Sequence, residues 1–320
     1  MPLVEIADLH VSFAQTDGLV QAVRGISLSV EAGESVGIVG ESGSGKSVTC
    51  MAALRLLREP PAKIKASRLA LDGVDMLRAD KRQLAHMRGS VAAMIFQDPM
   101  TAFDPVFTIG HQIVETIQAH RNTSKAAART EATALLARVE IKNPDAVMNS
   151  YPHQLSGGML QRAMIAMALS CRPKMLFADE PTTALDVTVQ AQILQLIRVL
   201  QAEFGMGLIM VTHDLGVIAE TVDRVIVMYG GRVMEEGPVQ AVFDAPAHPY
   251  TRALLGSMPG QTPGQHRLIE IKGASPNPAN PPKGCPFHPR CDKAEAVCSQ
   301  SDPAFVALGQ NHRAACWVLQ

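Results

Sequence analysis

Residues 40–47 read GESGSGKS, a run whose residue types suit one task, holding a phosphate. The run fits the pattern G-x-x-x-x-G-K-[ST], between the apolar stretch SVGIVG and the helically spaced VTCMAALRLL. Glycine at Gly40, Gly43 and Gly45 lets backbone N–H groups of the Ser42–Val48 segment approach phosphate oxygens, at a helix start whose dipole favours anions. Lys46 is placed to neutralise β and γ phosphates, and the Ser47 hydroxyl to ligate Mg2+. A second chemical element is MLFADE at 175–180, an apolar strand ending in two carboxylates. Asp179 is the candidate holder of magnesium and Glu180 the candidate general base for an attacking water. Two acids at a strand end also serve as a helix cap or a solvated turn, so the glycine run gives the pair its weight.

These residues need a scaffold of strands and helices to hold them. LVEIADLHVSF, QAVRGISLSV and SVGIVG read as successive strands at the start of the chain. From Asp98 to about Ser170 the composition turns helical, with TSKAAARTEATALLARV and GGMLQRAMIAMALS. KMLFADE, the helix candidate VTVQAQILQLIRVLQAEF, GLIMV and RVIVMY then restore the strand and helix alternation of a parallel α/β core. Past Pro246 the chain becomes proline-rich (PNPANPPKGCPFHP), loses periodicity and predicts an irregular tail. The expected division is a nucleotide-binding core over 1–97 and 171–250, a helical insertion over 98–170 and an extension over 251–320.

Bulk properties agree with a folded enzyme. Apolar residues are 47% and charged residues 18% of 320, unlike a disordered chain. A formal net charge of −1 gives no basic excess for nucleic acid. The start, MPLVEIADLH, lacks a charged leader and apolar h-region, which places the chain in the cytosol, and GLIMV and VIVMY are too short to span a membrane. Membrane attachment is therefore expected through a partner.

LSGGM at 155–159 distinguishes among nucleoside triphosphatases: the chain here resembles the ABC transporter ATPases, whose signature is LSGGQ, over roughly residues 3–250. Gln97 in FQDP matches that family's Q-loop, Asp186 in ALD its D-loop, and His213 in VTHD its switch histidine. Phe13 matches the aromatic that stacks on adenine, against the plain alternative of a core residue. The resemblance implies a P-loop fold with a RecA-like parallel core, an N-terminal antiparallel β subdomain and an inserted helical subdomain. It also implies that Gln97 joins Ser47 and Asp179 around Mg2+, that His213 contacts the γ-phosphate, and that Ser156, Gly157 and Gly158 close on ATP held by a second subunit. Ser156 precedes a helical run, so it is an N-cap candidate at a second anion-binding helix end.

Met159, QDPMTAFDP, YPHQLSGGM and PAHPYTRALLGSMP narrow the resemblance to the oligopeptide and dipeptide importers, with nickel importers as close relatives. This implies a second, different ATPase chain, two membrane permease subunits, an external solute-binding protein and a peripheral position on the cytoplasmic face of a bacterial inner membrane. A kinase needs neither LSGGM nor VTHD. DNA-repair ATPases of the class carry a long coiled coil, for which no heptads appear, and translation ATPases carry two cassettes per chain.

The tail cysteines, Cys285, Cys291, Cys298 and Cys316, are spaced C-x5-C-x6-C-x17-C. Four thiols in a segment expected to build little core point to a crosslink, and a reducing cytosol favours a metal centre over disulfides. Zinc sites usually contain a close C-x2-4-C pair, absent here, although His288 and His312 could substitute. Four thiolates also suit a [4Fe–4S] cluster, and the resembling importers include members with one at matching cysteines. Uncoordinated thiols are the third reading.

Overall fold

The computed structural model describes residues 2–16, 18–183, 185–257 and 271–320. Residues 258–270 of the expected extension, including the last two residues of PAHPYTRALLGSMP, lie outside them. The architecture is mixed α/β, and the chain divides into two compact units. One comprises residues 1–3, 31–34 and 71–209, and the other 4–30, 35–70 and 210–320.

In the 71–209 unit, Ala92–Ile95 and Met175–Asp179 run parallel, with Ala92 opposite Met175 and Ile95 opposite Ala178. Every residue of both strands is buried, as expected of a parallel pair covered on both faces. Around them lie Lys81–His86, Ile109–His120, Lys125–Arg138, Gly157–Leu169 and Val187–Phe204, helices whose starts are each capped by a side chain. Asp80 and Gln83 form a full capping box, and Ser124 and Asp186 cap at the residues before their apolar-periodic runs. Val187–Phe204 stops at Gly205, whose φ of 60° suits a left-handed helix end.

In the other unit, Val4–Gln15 and Gly18–Val30 form a long antiparallel pair, and Ala62–Lys65 pairs on the other edge of Val4–Gln15. Ser35–Val39 pairs parallel with Arg224–Tyr229, which pairs antiparallel with Arg232–Pro238. The tail is more regular than its composition predicts. A hairpin, Phe305–Gly309 and His312–Ala315, adds to the same sheet, with Glu235 opposite Ala314. Phe287, 2% exposed, packs its ring against Tyr229, Tyr250 and His248. The tail thus shares the core of this unit instead of building its own. Among the described residues no helix is long and apolar enough to cross a membrane.

Candidate functional site

The Gly40–Ser47 loop follows the buried strand Ser35–Val39 and opens the helix Lys46–Ala53. That helix starts at Gly45, in a left-handed conformation with φ 99°, and no side chain caps it. The positive end of its dipole therefore faces the loop, where an anion is favoured. Glycine is required at two points by close approach. A Cβ on Gly40 would come within 2.1 Å of the Met228 carbonyl oxygen, and one on Gly45 within 2.4 Å of the Ala22 carbonyl oxygen. Lys46, 5% exposed, donates from Nζ to the carbonyls of Gly40 (2.8 Å) and Glu41 (3.0 Å). The Ser44 hydroxyl is buried without a hydrogen-bond partner. An orphaned hydroxyl, an uncapped helix start and a cradle that a methyl group would fill all fit phosphate oxygens of a nucleotide. Ser42 and Gly43 are exposed, and Ser47 and Val48 half-buried.

The 71–209 unit places three other predicted residues. Asp179, 6% exposed, ends the strand Met175–Asp179, and Glu180 leaves it with φ 46°, a backbone state a glutamate rarely adopts. Glu180 Oε2 accepts from Gln97 Nε2 (3.0 Å) and from Thr183 Oγ1 (2.8 Å). Two donors on one oxygen fix the carboxylate, and strain of this kind concentrates at functional positions. Nothing in the sequence pattern singles out Thr183.

In the same unit the helix Gly157–Leu169 starts at Ser156, whose Oγ accepts from the Met159 N–H at 3.4 Å, so the expected N-cap is present. Ser156 and Gly157 are exposed, and Met159 is 36% exposed. Arg162, 9% exposed, holds this helix: it donates to Val139 O (2.8 Å), Glu140 Oε2 (2.8 Å) and Gln192 Oε1 (3.0 Å). Sequence reasoning overlooked Arg162, which carries no motif. Asp186 caps Val187–Phe204 by accepting from the Val189 N–H at 3.0 Å.

The 210–320 portion places His213, exposed, directly after the strand Gly207–Thr212 and before Asp214, the cap of Leu215–Thr221. Phe13 is half-buried at the end of its strand, opposite Val20 and Ala62, and so is not a core residue.

The tail cysteines require a correction. Among the described residues no group of three or more His, Cys, Asp or Glu side chains is placed to hold a metal ion, so a zinc site on the cysteines with His288 or His312 has no support. The two histidines have other work. His312 Nε2 contacts the fully buried Glu235 Oε1 at 2.8 Å, and His288 Nδ1 meets the Cys285 carbonyl at 2.9 Å. The need for a crosslink also falls away, since the tail docks on the sheet and on Tyr229 and Tyr250. Burial pushes the Cys285 thiol up to about 11, with the neighbouring Cys298, Cys316 and Cys291 adding to the shift, and burial also raises Cys291 and Cys316.

A glycine-lined loop opening an uncapped helix is the arrangement of a P-loop nucleoside triphosphatase. The chain belongs to the ABC transporter family of ATPases, whose pattern residues 23–183 match, half of its length. Residues 234–298 match a second family, the C-terminal region of oligopeptide/dipeptide transporters. The chain is 48% identical to a probable peptide ABC transporter ATP-binding protein, y4tR, of Sinorhizobium fredii, over 98% of this chain and 94% of that protein. It is 45% identical to the dipeptide transport ATP-binding protein DppD of Escherichia coli, over 99% and 96%. A dimeric ATP-binding cassette bound to ADP and Pi superposes with a TM-score of 0.65 at 27% identity, covering 74% of this chain and 98% of that one.

Proposed function

We propose that this chain is the ATP-hydrolysing subunit of a bacterial importer of peptides, working at the cytoplasmic face of the membrane through partner subunits. The observation that carries the reading is the 234–298 match to the oligopeptide/dipeptide transporter C-terminal region, which follows the ATPase match on one chain. The named relatives, peptide and dipeptide transport ATP-binding proteins aligned over nearly the whole chain, support it. The proposed assembly pairs this chain with a second, different ATPase beneath two permease subunits fed by an external solute-binding protein. Its proposed parts are a nucleotide-binding core over 1–97 and 171–250, a helical insertion over 98–170 and an extension over 251–320.

Gly40 to Val48 cradle the phosphates, and Lys46 balances their charge. Ser47, Gln97 and Asp179 are the residues assigned to Mg2+, which when bound draws charge from the phosphoryl oxygens. Glu180 takes the proton of the attacking water, held in register by Gln97 and Thr183, and His213 steadies the water and base. Phe13 stacks on adenine. The exposed Ser156 and Gly157 and the half-buried Gly158 offer N–H groups to nucleotide on the partner ATPase, and Asp186 lies beside that closure, so hydrolysis releases the pair. The test is ATPase activity in the reconstituted complex: oligopeptides with their binding protein should stimulate turnover. Stimulation by nickel and not by peptides would move the chain to the metal importers, and hydrolysis indifferent to any permease would make it a soluble ABC ATPase.

A [4Fe–4S] cluster on Cys285, Cys291, Cys298 and Cys316 is a separable part of the proposal. It rests on the donor set alone, four thiols within 32 residues of the tail, and stands against the absence, among the described residues, of any group of three or more His, Cys, Asp or Glu side chains placed to hold a metal ion. No step of hydrolysis passes through it. Anaerobically purified protein should contain about four irons per chain, and four freely alkylated cysteines in the folded protein would remove the cluster.

A further inference from the structure

Glu41, in the phosphate loop, is held at its N–H, its carbonyl and one carboxylate oxygen. Its N–H donates to the Tyr250 hydroxyl (2.9 Å), and its carbonyl accepts from Lys46 Nζ (3.0 Å) and from the Ser44 N–H (3.2 Å). Its carboxylate Oε2 accepts from Arg290 Nη1 at 2.8 Å and from the Ser275 hydroxyl. Arg290 and Ser275 both belong to the C-terminal tail, more than two hundred residues from the loop.

Arg290 is built in, with its side chain 7% exposed. Besides Glu41, its Nη1 donates to the Tyr229 hydroxyl (2.9 Å), its Nη2 to Ile271 O (2.9 Å) and its Nε to Lys272 O (2.8 Å). Only a planar guanidinium fork spans four such acceptors, and a lysine ammonium cannot. The turn that carries Arg290 is anchored by the buried ring of Phe287 on Tyr229 and Tyr250, and the Arg290 N–H closes that turn on Phe287 O at 2.9 Å. Tyr229 follows Met228, whose carbonyl forms the wall behind Gly40. One guanidinium therefore ties the tail both to the loop and to the strand that backs it.

We propose that Arg290 is a positioning residue of the nucleotide site: through Glu41 it fixes the phosphate loop, so the C-terminal segment is a working part of ATP binding. A phosphate cradle made of backbone N–H groups acts only when that backbone is held in place beforehand. A half-buried carboxylate left without its guanidinium would turn toward other partners and loosen the loop. The inference rests on the reading that residues 40–47 hold the nucleotide, and the test separates the two.

The test uses the purified full chain and its assembled complex, with equilibrium binding of a fluorescent ATP analogue, KM and kcat for ATP, and thermal melting. Arg290→Ala should weaken ATP binding and raise KM by roughly tenfold to a hundredfold, while kcat at saturation stays within about threefold. Arg290→Lys should fail to restore affinity. Glu41→Ala should reproduce the defect, and Glu41→Ala with Arg290→Ala should be no worse than either alone, as for two residues acting as one unit. Lys46→Ala is the control: loss of binding there with wild-type affinity in Arg290→Ala would overturn the proposal and leave the loop's role standing, whereas intact binding in Lys46→Ala would overturn the reading of the loop itself. A lowered melting temperature with unchanged ATP affinity would make Arg290 purely structural, and additive losses in the double variant would also refute the link. Should Arg290→Ala not fold, Glu41→Gln, at a side chain 22% exposed, keeps the size and removes the charge; unchanged ATP affinity there refutes the proposal.

Discussion

Replacing Glu180 with Gln separates basicity from geometry, because the structure shows what the side chain holds. Oε2 accepts from Gln97 Nε2 and Thr183 Oγ1, and an amide oxygen can accept both bonds from the same place. The left-handed backbone at φ 46° is equally available to both residues, so the fold should neither gain nor lose appreciably. What disappears is the ability to take a proton. General-base assistance is worth about 100-fold to 10,000-fold, which at about 1.4 kcal/mol per decade raises the barrier by about 2.8–5.6 kcal/mol. ATP affinity should stay within about threefold, since no phosphate contact is assigned to this carboxylate. The assay is phosphate release at saturating ATP in the assembled complex, with the partner's own hydrolytic site inactivated, alongside nucleotide binding. Turnover within threefold of the unaltered protein would refute the assignment. A tenfold loss of affinity at unchanged kcat would instead make Glu180 part of the binding site.

Lys46→Ala should abolish nucleotide binding by the isolated chain, whereas Ser156→Arg should leave that binding intact and block ATP-dependent pairing; equal loss of affinity in both would place the signature on the chain's own nucleotide. Gly40→Ala should cost about 1–3 kcal/mol of stability and at least tenfold in ATP affinity, because its Cβ would meet the Met228 carbonyl at 2.1 Å with φ already at 150°; unchanged melting and binding would refute that tight fit. His248 is pushed down from 6.5 to about 3 by burial and is neutral in the fold, while the unfolded chain takes up a proton below 6.5. Stability should therefore fall as pH drops through 6.5, by about 2 kcal/mol at pH 5 from this residue, and His248→Asn, which can still cap Pro249–Gly256, should flatten denaturant-melt stability over that range; an unchanged pH slope would refute it.

What the sequence made legible was whatever depends on local chemistry. The helix Val187–Phe204 and the strand Arg224–Tyr229 fall on the periodic runs read for them, because periodicity and capping act over a few neighbouring residues. Ser156 was readable as an N-cap for the same reason. The helix opening at Lys46 stops at Ala53, short of the run read for it, with Arg55 turning to a positive φ of 54° that no composition signal announces. The hairpin Phe305–Gly309 and His312–Ala315 was hidden because its strands are short and gain their stability from pairing with Arg232–Pro238. Thr183, Arg162 and Arg290 lie in no motif, and their partners are fixed by tertiary packing. The tail looked unable to build a core because its few apolar residues, Phe287 among them, are spent on tyrosines far away in the chain.

Capping shows how the chain keeps its anion sites apart from its ordinary helix ends. Of the helices of eight or more residues among the described ones, five begin under a side chain, from Thr108, Ser124, Ser156, Asp186 and His248. The sixth, Lys46–Ala53, has only Gly45 there. A carboxylate cap such as Asp186, at 3.0 Å from its N–H, satisfies a donor and also places negative charge where a phosphate would have to come. Glycine at the phosphate loop gives up that local stabilisation and places no side-chain charge at the positive end of the helix dipole. The signature helix stands between these cases. Its cap is a neutral hydroxyl at 3.4 Å, followed by two glycines, which holds the helix start weakly without repelling an anion. The uncapped start is instead held by bonds within the loop and, through Glu41, by Tyr250 and Arg290 from far along the chain, which on the proposed reading supply order that a capping residue gives elsewhere.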